Sequence, residues 1–175
     1  MSILKIVNYI FEINQLKREQ HSGFQLAGIK HPPSVAEHVM RASQIAYILA
    51  NLEGANPEKA ACITLIHDNG EVRIKDQHKV AARYFSTKKT EEKAFREQLD
   101  GLGSGIEDKW KNYFLEYENR NTQEGIIAKD ADWLEVAFQA KEYADLGFKS
   151  VAGWIDNVEK AVETESAKKN YQANA

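Results

Sequence analysis

Polar side chains that are costly to bury stand at three places inside otherwise apolar, helix-periodic stretches of this chain. His38 lies one turn into a predicted helix, and the pair His67-Asp68 directly follows the apolar run of residues 63–66. Asp132 interrupts a third apolar stretch, where an aspartate is unfavourable both for helix propensity and for burial. A shared cation would satisfy all of these side chains. The alternative for each histidine is an ordinary core residue whose ring is hydrogen-bonded by its neighbours.

Two imidazoles and two carboxylates make a mixed nitrogen and oxygen ligand set. Such a set suits a borderline or hard divalent ion, so we expect one ion of Mn, Co, Fe, Zn or Mg. An ion of this kind lowers the pKa of a bound water and polarises a phosphoryl oxygen, which is the chemistry of phosphate ester hydrolysis. Glu71 and Asp76 follow the His-Asp pair in the chain, and either carboxylate could orient the water or protonate the leaving group.

Helical periodicity dominates the chain and places these residues on or beside predicted helices. Apolar residues recur at intervals of three and four over residues 2–16. The capping-box sequence Ser34-Val35-Ala36-Glu37 begins a helix that we expect to reach about Asn51. Asn56-Pro57 begins the next helix, which we expect to end near Gly70. The remaining predicted helices cover approximately residues 90–100, 106–119, 123–146 and 150–168.

The segments between the helices carry glycine, proline and polar residues, and no stretch of useful length alternates as a strand does. Residues 17–33 are predicted to form a loop, and residues 71–90 are less regular. The expected fold is all-α, a single compact bundle of about six or more helices. We expect one domain over residues 1–175, with its core at about 16–148 and a polar tail from about 168.

Composition and charge narrow the class of partner. The net charge of −3 argues against a nucleic acid polymer as partner, because such binding relies on an excess of lysine and arginine. The sequence has no run of about 18 apolar residues, so no membrane association is expected. Its N-terminal residues lack the pattern of a signal peptide, and the single cysteine, Cys62, is compatible with a reducing compartment. We therefore expect a cytoplasmic protein.

Taken together, these motifs resemble the HD-domain superfamily of metal-dependent phosphohydrolases. That family carries a histidine on one helix, a His-Asp pair at the end of the next helix and a later aspartate. The resemblance is greatest to the subgroup of 5′-deoxynucleotidases and proteins like HD-domain-containing protein 2, and it extends over residues 16–148. The matching stretches are Ser34-Val35-Ala36-Glu37-His38, His67-Asp68-Asn69-Gly70-Glu71 with Asp76, Glu116-Tyr117-Glu118, Lys129-Asp130-Ala131-Asp132 and Gln139-Ala140-Lys141-Glu142-Tyr143.

The resemblance implies an all-α homodimer that binds one divalent ion and hydrolyses deoxyribonucleoside 5′-monophosphates to nucleoside and phosphate. Glu71 would act on the nucleophilic water or on the leaving group. Asp76 would contact the sugar or serve as the acid. The metal ligands that the resemblance implies are His38, His67, Asp68 and Asp132.

The loop before the first histidine helix departs from the family pattern. Relatives often carry Arg-x-Gly-Trp where this chain has His21-Ser22-Gly23-Phe24, and they tend to carry Glu where it has Pro33. His21 and Phe24 are therefore the expected substrate contacts, although histidine does not bind phosphate as arginine does. Two alternatives stay open: another nucleotide hydrolase of the same superfamily, such as a triphosphohydrolase, and a non-catalytic domain that senses metal and nucleotide.

Overall fold

A computed structural model of the chain describes residues 2–84 and 87–172. Its helices are α1 (Ile3–Ile13), α2 (Ser22–Leu26), α3 (Val35–Glu53), α4 (Pro57–Ile66), α5 (Glu71–Ile74), α6 (Thr87–Leu99), α7 (Ser104–Asn119), α8 (Gln123–Asp145), α9 (Ala152–Glu159) and α10 (Glu165–Gln172). Short 3-10 segments lie at Asn14–Lys17, Ala81–Arg83 and Lys149–Val151. Over these ranges, β pairing is limited to one isolated bridge between Gln20 and Ser34. The predicted all-α class is confirmed.

The chain divides into two compact units, each assembled from segments that are separate in the sequence. Unit 1 comprises Met1–Glu37 and Ile66–Phe114, and unit 2 comprises His38–Leu65 and Leu115–Ala175. The expectation of a single domain over residues 1–175 stays a prediction. Among the described helices, none is long and apolar enough to cross a membrane.

Unit 1 has an aromatic core between α1, α6 and α7. The rings of Phe95 and Phe114 pack with centroids 5.2 Å apart, a spacing at which aromatic side chains attract one another. Ile66 belongs to this core, so the chain is anchored directly before the His-Asp pair. The buried members of the core are Tyr9, Ile66, Phe95, Leu99, Leu102 and Phe114.

Unit 2 has an aliphatic core in which α8 packs against α3, α4, α9 and α10. Ile127, Ala131 and Leu134 lie four and three residues apart, so they share one face of α8, and all three are completely buried. Small side chains such as Ala46 and Ala50 on α3 let the helices approach closely. The buried members are Ala46, Leu49, Ala50, Ala60, Ile127, Ala131, Leu134, Ala137, Val158, Val162 and Ala167.

The predicted helix starts are confirmed in atomic detail. At the start of α3, the backbone N–H and the hydroxyl of Ser34 each donate to the Glu37 carboxylate at 2.7 Å. The Glu37 N–H in turn donates to the Ser34 hydroxyl at 3.3 Å, which completes the capping box. Asn56 accepts from the Lys59 N–H at 2.9 Å at the start of α4, and Thr122 caps α8.

The end of α4 differs from the prediction. This helix ends at Ile66, whereas the sequence predicts an end near Gly70. Gly70 does not serve as a helix stop, because its φ of −59° lies outside the left-handed region. A Cβ atom at this position would lie 2.7 Å from Glu91 Cγ and 3.0 Å from the Glu91 carbonyl oxygen. Glycine therefore stands here because another part of the chain passes close by.

The single helix predicted over residues 150–168 is wrong, because the chain forms α9 and α10 with a break between them. The Asp130 carboxylate accepts hydrogen bonds from the backbone N–H of Glu163 at 3.0 Å and of Thr164 at 2.7 Å. It also accepts from the Thr164 hydroxyl at 2.7 Å. These bonds fix a new helix start, and α10 continues to Gln172 through the expected polar tail.

Candidate functional site

In unit 2, the structure brings together two of the residues predicted to bind a metal. His38 on α3 places its Nε2 atom 3.3 Å from Oδ1 of Asp132 on α8. The imidazole is buried, and the Asp132 side chain is 14% exposed. His38 and Asp132, both of which are costly to bury, therefore face each other although they lie 94 residues apart in the sequence.

In unit 1, His67 and Asp68 form a second pair directly after α4. The Nε2 atom of the buried His67 lies 3.1 Å from Oδ1 of Asp68. His38, His67 and Asp132 each offer one ligand atom that is suitable for a metal ion. The donors are imidazole nitrogens and carboxylate oxygens, as the sequence predicts.

The spacing within each pair fits two ligands of one ion. Metal bonds to imidazole and carboxylate are about 2.0–2.2 Å long, so two donors of one ion lie about 3.0 Å apart at a right angle and about 3.4 Å apart at a tetrahedral angle. The observed 3.3 Å and 3.1 Å both lie in this interval. Each pair therefore fits two ligands of a divalent ion in chemistry and in spacing.

The second oxygen of Asp132 is held by two groups to which sequence analysis gave no role. The Tyr117 hydroxyl donates to Oδ2 at 2.6 Å, and Lys129 Nζ donates to the same atom at 2.9 Å. Lys129 also donates to the Tyr117 hydroxyl at 2.6 Å and lies over its ring. These bonds fix the carboxylate with Oδ1 directed towards His38.

Glu135, to which the sequence motifs gave no role, lies on α8 and contacts the other nitrogen of His38. Its Oε2 atom is 2.5 Å from Nδ1 of His38. Burial opposes a charge on His38, but hydrogen bonds and charge from Asp132 and Glu135 outweigh it and raise the pKa of the imidazole well above its usual value. Asp132 and Glu135 are three residues apart and share one face of α8, but that face also carries Gln139 and Glu142, so spacing alone does not single out Glu135.

A buried polar network in unit 1 holds the turn that follows the His-Asp pair. Gln98 donates to the Asn69 carbonyl at 2.9 Å, and the Asn69 side chain donates to the Tyr9 hydroxyl at 2.8 Å. Burial raises the pKa of Tyr9 to about 12, so its hydroxyl stays neutral at ordinary pH. The Glu71 N–H donates to the Asp68 carbonyl at 3.0 Å, which places Glu71 at the start of α5.

The structure also brings His21, Phe24 and Asp76 together in unit 1. Oδ2 of Asp76 accepts from the Ser22 N–H at 2.6 Å and lies 3.2 Å from Nδ1 of His21. Asp76 thereby holds the start of α2, a short helix inside the predicted loop of residues 17–33. Phe24 is completely buried, with its ring 5.1 Å from that of His21. The His21 side chain is 20% exposed. The expected substrate contacts of His21 and Phe24 stay a prediction.

Comparison with known proteins gives the class. A family model described as HD domain matches residues 13–173, and the chain belongs to this family. The 5′-deoxynucleotidase HDDC2 of Danio rerio is 30% identical over 135 residues, which cover 77% of this chain and 67% of that protein. The 5′-deoxynucleotidase hdd1 of Schizosaccharomyces pombe is 30% identical over 145 residues, covering 80% and 73%. The family resemblance deduced from the motifs is confirmed.

Solved structures share the fold of this chain. A conserved hypothetical protein from Pyrococcus furiosus matches with a TM-score of 0.82 and 29% identity, covering 96% of this chain and 98% of that one. A protein from Magnetospirillum magnetotacticum, described as a predicted metal-dependent phosphohydrolase, matches with a TM-score of 0.75 and 21% identity, covering 98% and 90%. At that identity, the second match shows a shared fold alone.

Proposed function

We propose that this chain is a divalent-metal-dependent phosphohydrolase that releases phosphate from deoxyribonucleoside 5′-monophosphates. Membership of the HD domain family supports the hydrolase class, and relatives at 30% identity bear the name 5′-deoxynucleotidase. The observation that carries the proposal is the pair of the buried His38 and the partly buried Asp132, whose facing atoms lie 3.3 Å apart. This is the spacing of two ligands on one ion.

The proposed ion is held by two imidazoles and two carboxylates. Its ligands are His38, His67, Asp68 and Asp132. When bound, a divalent ion supplies a Lewis acid for the phosphoryl group and a water of lowered pKa. The donor set is compatible with Mn, Co, Fe, Zn or Mg.

The residues of the chain supply position and proton transfer. Tyr117 and Lys129 fix the carboxylate of Asp132 through their hydrogen bonds to Oδ2. Glu71 takes a proton from the attacking water as the new P–O bond forms, and it gives this proton to the 5′ oxygen as the bond from that oxygen to phosphorus breaks, unless Asp76 serves as the acid. Asp76 and the partly exposed His21 face the substrate, with His21 standing where relatives often carry arginine.

A panel of nucleotides tests this proposal. Metal-stripped protein is supplied with Mn²⁺, Co²⁺ or Mg²⁺ and with deoxyribonucleoside and ribonucleoside 5′-monophosphates, and inorganic phosphate is measured. We expect phosphate from the deoxyribonucleotides, and replacement of Glu71 by Gln should reduce the rate by about 10²–10⁴-fold if Glu71 transfers the proton. Absence of phosphate with every metal and every substrate would overturn the proposal.

The same panel separates the two alternatives. Deoxyribonucleoside triphosphates are included, because release of tripolyphosphate or pyrophosphate would instead support another nucleotide hydrolase of the superfamily. Nucleotide that raises the melting temperature of the metal-loaded protein without any turnover would support a sensing domain, since a ligand that binds the folded state stabilises it.

We further propose that the protein is a homodimer, as the family resemblance implies. In support, α1 carries apolar side chains that are largely exposed in the single chain: Ile3 is 81%, Leu4 is 68% and Phe11 is 73% exposed. Contiguous exposed apolar surface often marks an interaction site. Light scattering coupled to size-exclusion chromatography should give twice the mass of one chain, and replacement of Phe11 by Glu should shift the protein towards the monomer.

A further inference from the structure

The buried imidazole of His38 has a carboxylate at each of its two ring nitrogens. Nε2 faces Asp132 at 3.3 Å, and Nδ1 faces Oε2 of Glu135 at 2.5 Å. The His38 and Glu135 side chains are 2% and 3% exposed, so water has little access to either contact. In neutral histidine one nitrogen carries the proton and the other has the lone pair that binds a metal, so the partner of one nitrogen decides what the other can do.

We propose that Glu135 is a positioning residue for the metal centre, a role that rests on the function proposed above. Its carboxylate accepts the proton of His38 Nδ1 and thereby directs the Nε2 lone pair to the ion beside Asp132. A carboxylate on the far nitrogen of a histidine ligand also increases the basicity of that ligand and fixes the orientation of its ring. Glu135 does not touch the ion or the substrate in this role.

The second oxygen of Glu135 is held by Arg41, which lies on α3 three residues after His38. Arg41 Nε donates to Oε1 of Glu135 at 2.9 Å, and its two terminal nitrogens reach Glu142 at 2.8 Å and Gln139 at 3.1 Å. Glu135 therefore cannot swing away from His38 without breaking the hydrogen bonds to Arg41. Because Arg41 already orders the Glu135 carboxylate, that carboxylate loses less conformational entropy when it orients His38.

The acceptors on α8 share one face of the helix. Asp132, Glu135, Gln139 and Glu142 follow each other at intervals of three, four and three residues, which is the period of a single helical stripe. This stripe meets His38 and Arg41 from α3. In unit 2, α3 therefore supplies the proposed ligand His38 and its support Arg41. Helix α8 supplies the proposed ligand Asp132 and its neighbour Glu135.

Zinc binding by the full chain tests the proposal without any measurement of turnover. The dissociation constant of the metal-stripped protein for Zn²⁺ is measured by competition with a chromophoric chelator, for the wild type and for Glu135→Gln. We expect the substitution to weaken binding by about 10–100-fold, the usual effect of removing such a partner. The matched control is Glu142→Gln, which removes the other, 54% exposed carboxylate partner of Arg41 and should change the constant by less than about threefold.

Two further measurements separate positioning from a purely structural role. In the zinc-loaded wild type, nitrogen NMR of labelled histidine should show a proton on Nδ1 of His38 and none on Nε2. If Glu135→Gln does not fold, Arg41→Gln frees the same carboxylate and should weaken zinc binding, by a smaller factor.

The outcomes are distinct. Unchanged zinc affinity in Glu135→Gln, with a lowered melting temperature of the metal-free protein, would assign Glu135 a structural role and overturn the proposal. A proton on Nε2 would overturn it as well. A wild-type protein that binds no zinc and no other divalent ion would instead overturn the proposed function itself.

Discussion

Replacement of Asp130 by alanine removes the carboxylate that separates α9 from α10. This side chain is 1% exposed and accepts from the backbone N–H groups of Glu163 and Thr164 and from the Thr164 hydroxyl. Without it, the start of α10 loses its cap. Ala167 on α10 is completely buried in the core of unit 2, so its position in that core is then held less firmly. We therefore expect Asp130→Ala to destabilise the fold.

The size of the effect follows from these contacts. A hydrogen bond to a charged group contributes about 1.5–3 kcal/mol, so three of them would give an upper bound of about 9 kcal/mol. Burial raises the pKa of Asp130 despite its donors, so desolvation of the carboxylate offsets part of this gain. Glu163 is an exposed residue, so water can also hydrate its N–H group once the carboxylate is gone. We expect a loss of about 3 kcal/mol, or about 6–12 °C in melting temperature for a chain of this length.

Thermal unfolding of the metal-free protein, followed by circular dichroism with a chelator present, measures this loss without any contribution from a bound ion. Asp145→Ala is the matched control, because Asp145 lies on the same helix, is 63% exposed and pairs with Lys141. An exposed pair of this kind contributes about 0.3–0.5 kcal/mol. Equal melting temperatures for the two variants would refute the role given to Asp130.

Four further substitutions, one of them a control, test local features of the fold. Ser34→Ala removes the cap of α3 and should cost about 1 kcal/mol in urea denaturation. Hydrogen bonds from Ser34 hold the pKa of Glu37 below its ordinary value of 4.5, so the ionised carboxylate stabilises the folded protein above that pH. The difference in the free energy of unfolding between the wild type and Glu37→Gln should therefore shrink as the pH falls through the lowered pKa. Gly125→Ala places a methyl group against the carbonyl oxygen of Glu116 and should cost about 1–3 kcal/mol, whereas Gly153→Ala, with nothing within 4 Å, should cost none.

The parts of the fold that depend on neighbouring residues could be predicted from the sequence. The capping box of Ser34 and Glu37 lies within one helical turn, and the structure forms all three of its hydrogen bonds. The proposed ligands stood out for a physical reason, because histidine and aspartate are expensive in apolar helices unless they have partners. The observed pairing of His38 with Asp132 agrees with that reasoning.

Features that depend on distant parts of the chain could not be predicted. Glu135 lies 97 residues from His38, and nothing in its own helix distinguishes a histidine partner from a solvated glutamate. The break before α10 arises because Asp130 binds a segment 34 residues away, which periodicity within 150–168 does not reveal. In the sequence, Gly70 is typical of a helix stop, yet glycine is required there because the segment at Glu91 passes too close for a Cβ atom. In each case a contact distant in sequence decides the structure.

Phosphate release during metal titration tests the central claim most directly. Metal-stripped protein is titrated with Mn²⁺ in the presence of a deoxyribonucleoside 5′-monophosphate, for the wild type and for His67→Ala. We expect no release before metal is added, a rise that saturates at one ion per chain in the wild type, and no rise in His67→Ala with its helical content retained. Full phosphate release by the stripped wild-type protein, or by His67→Ala, would contradict the account.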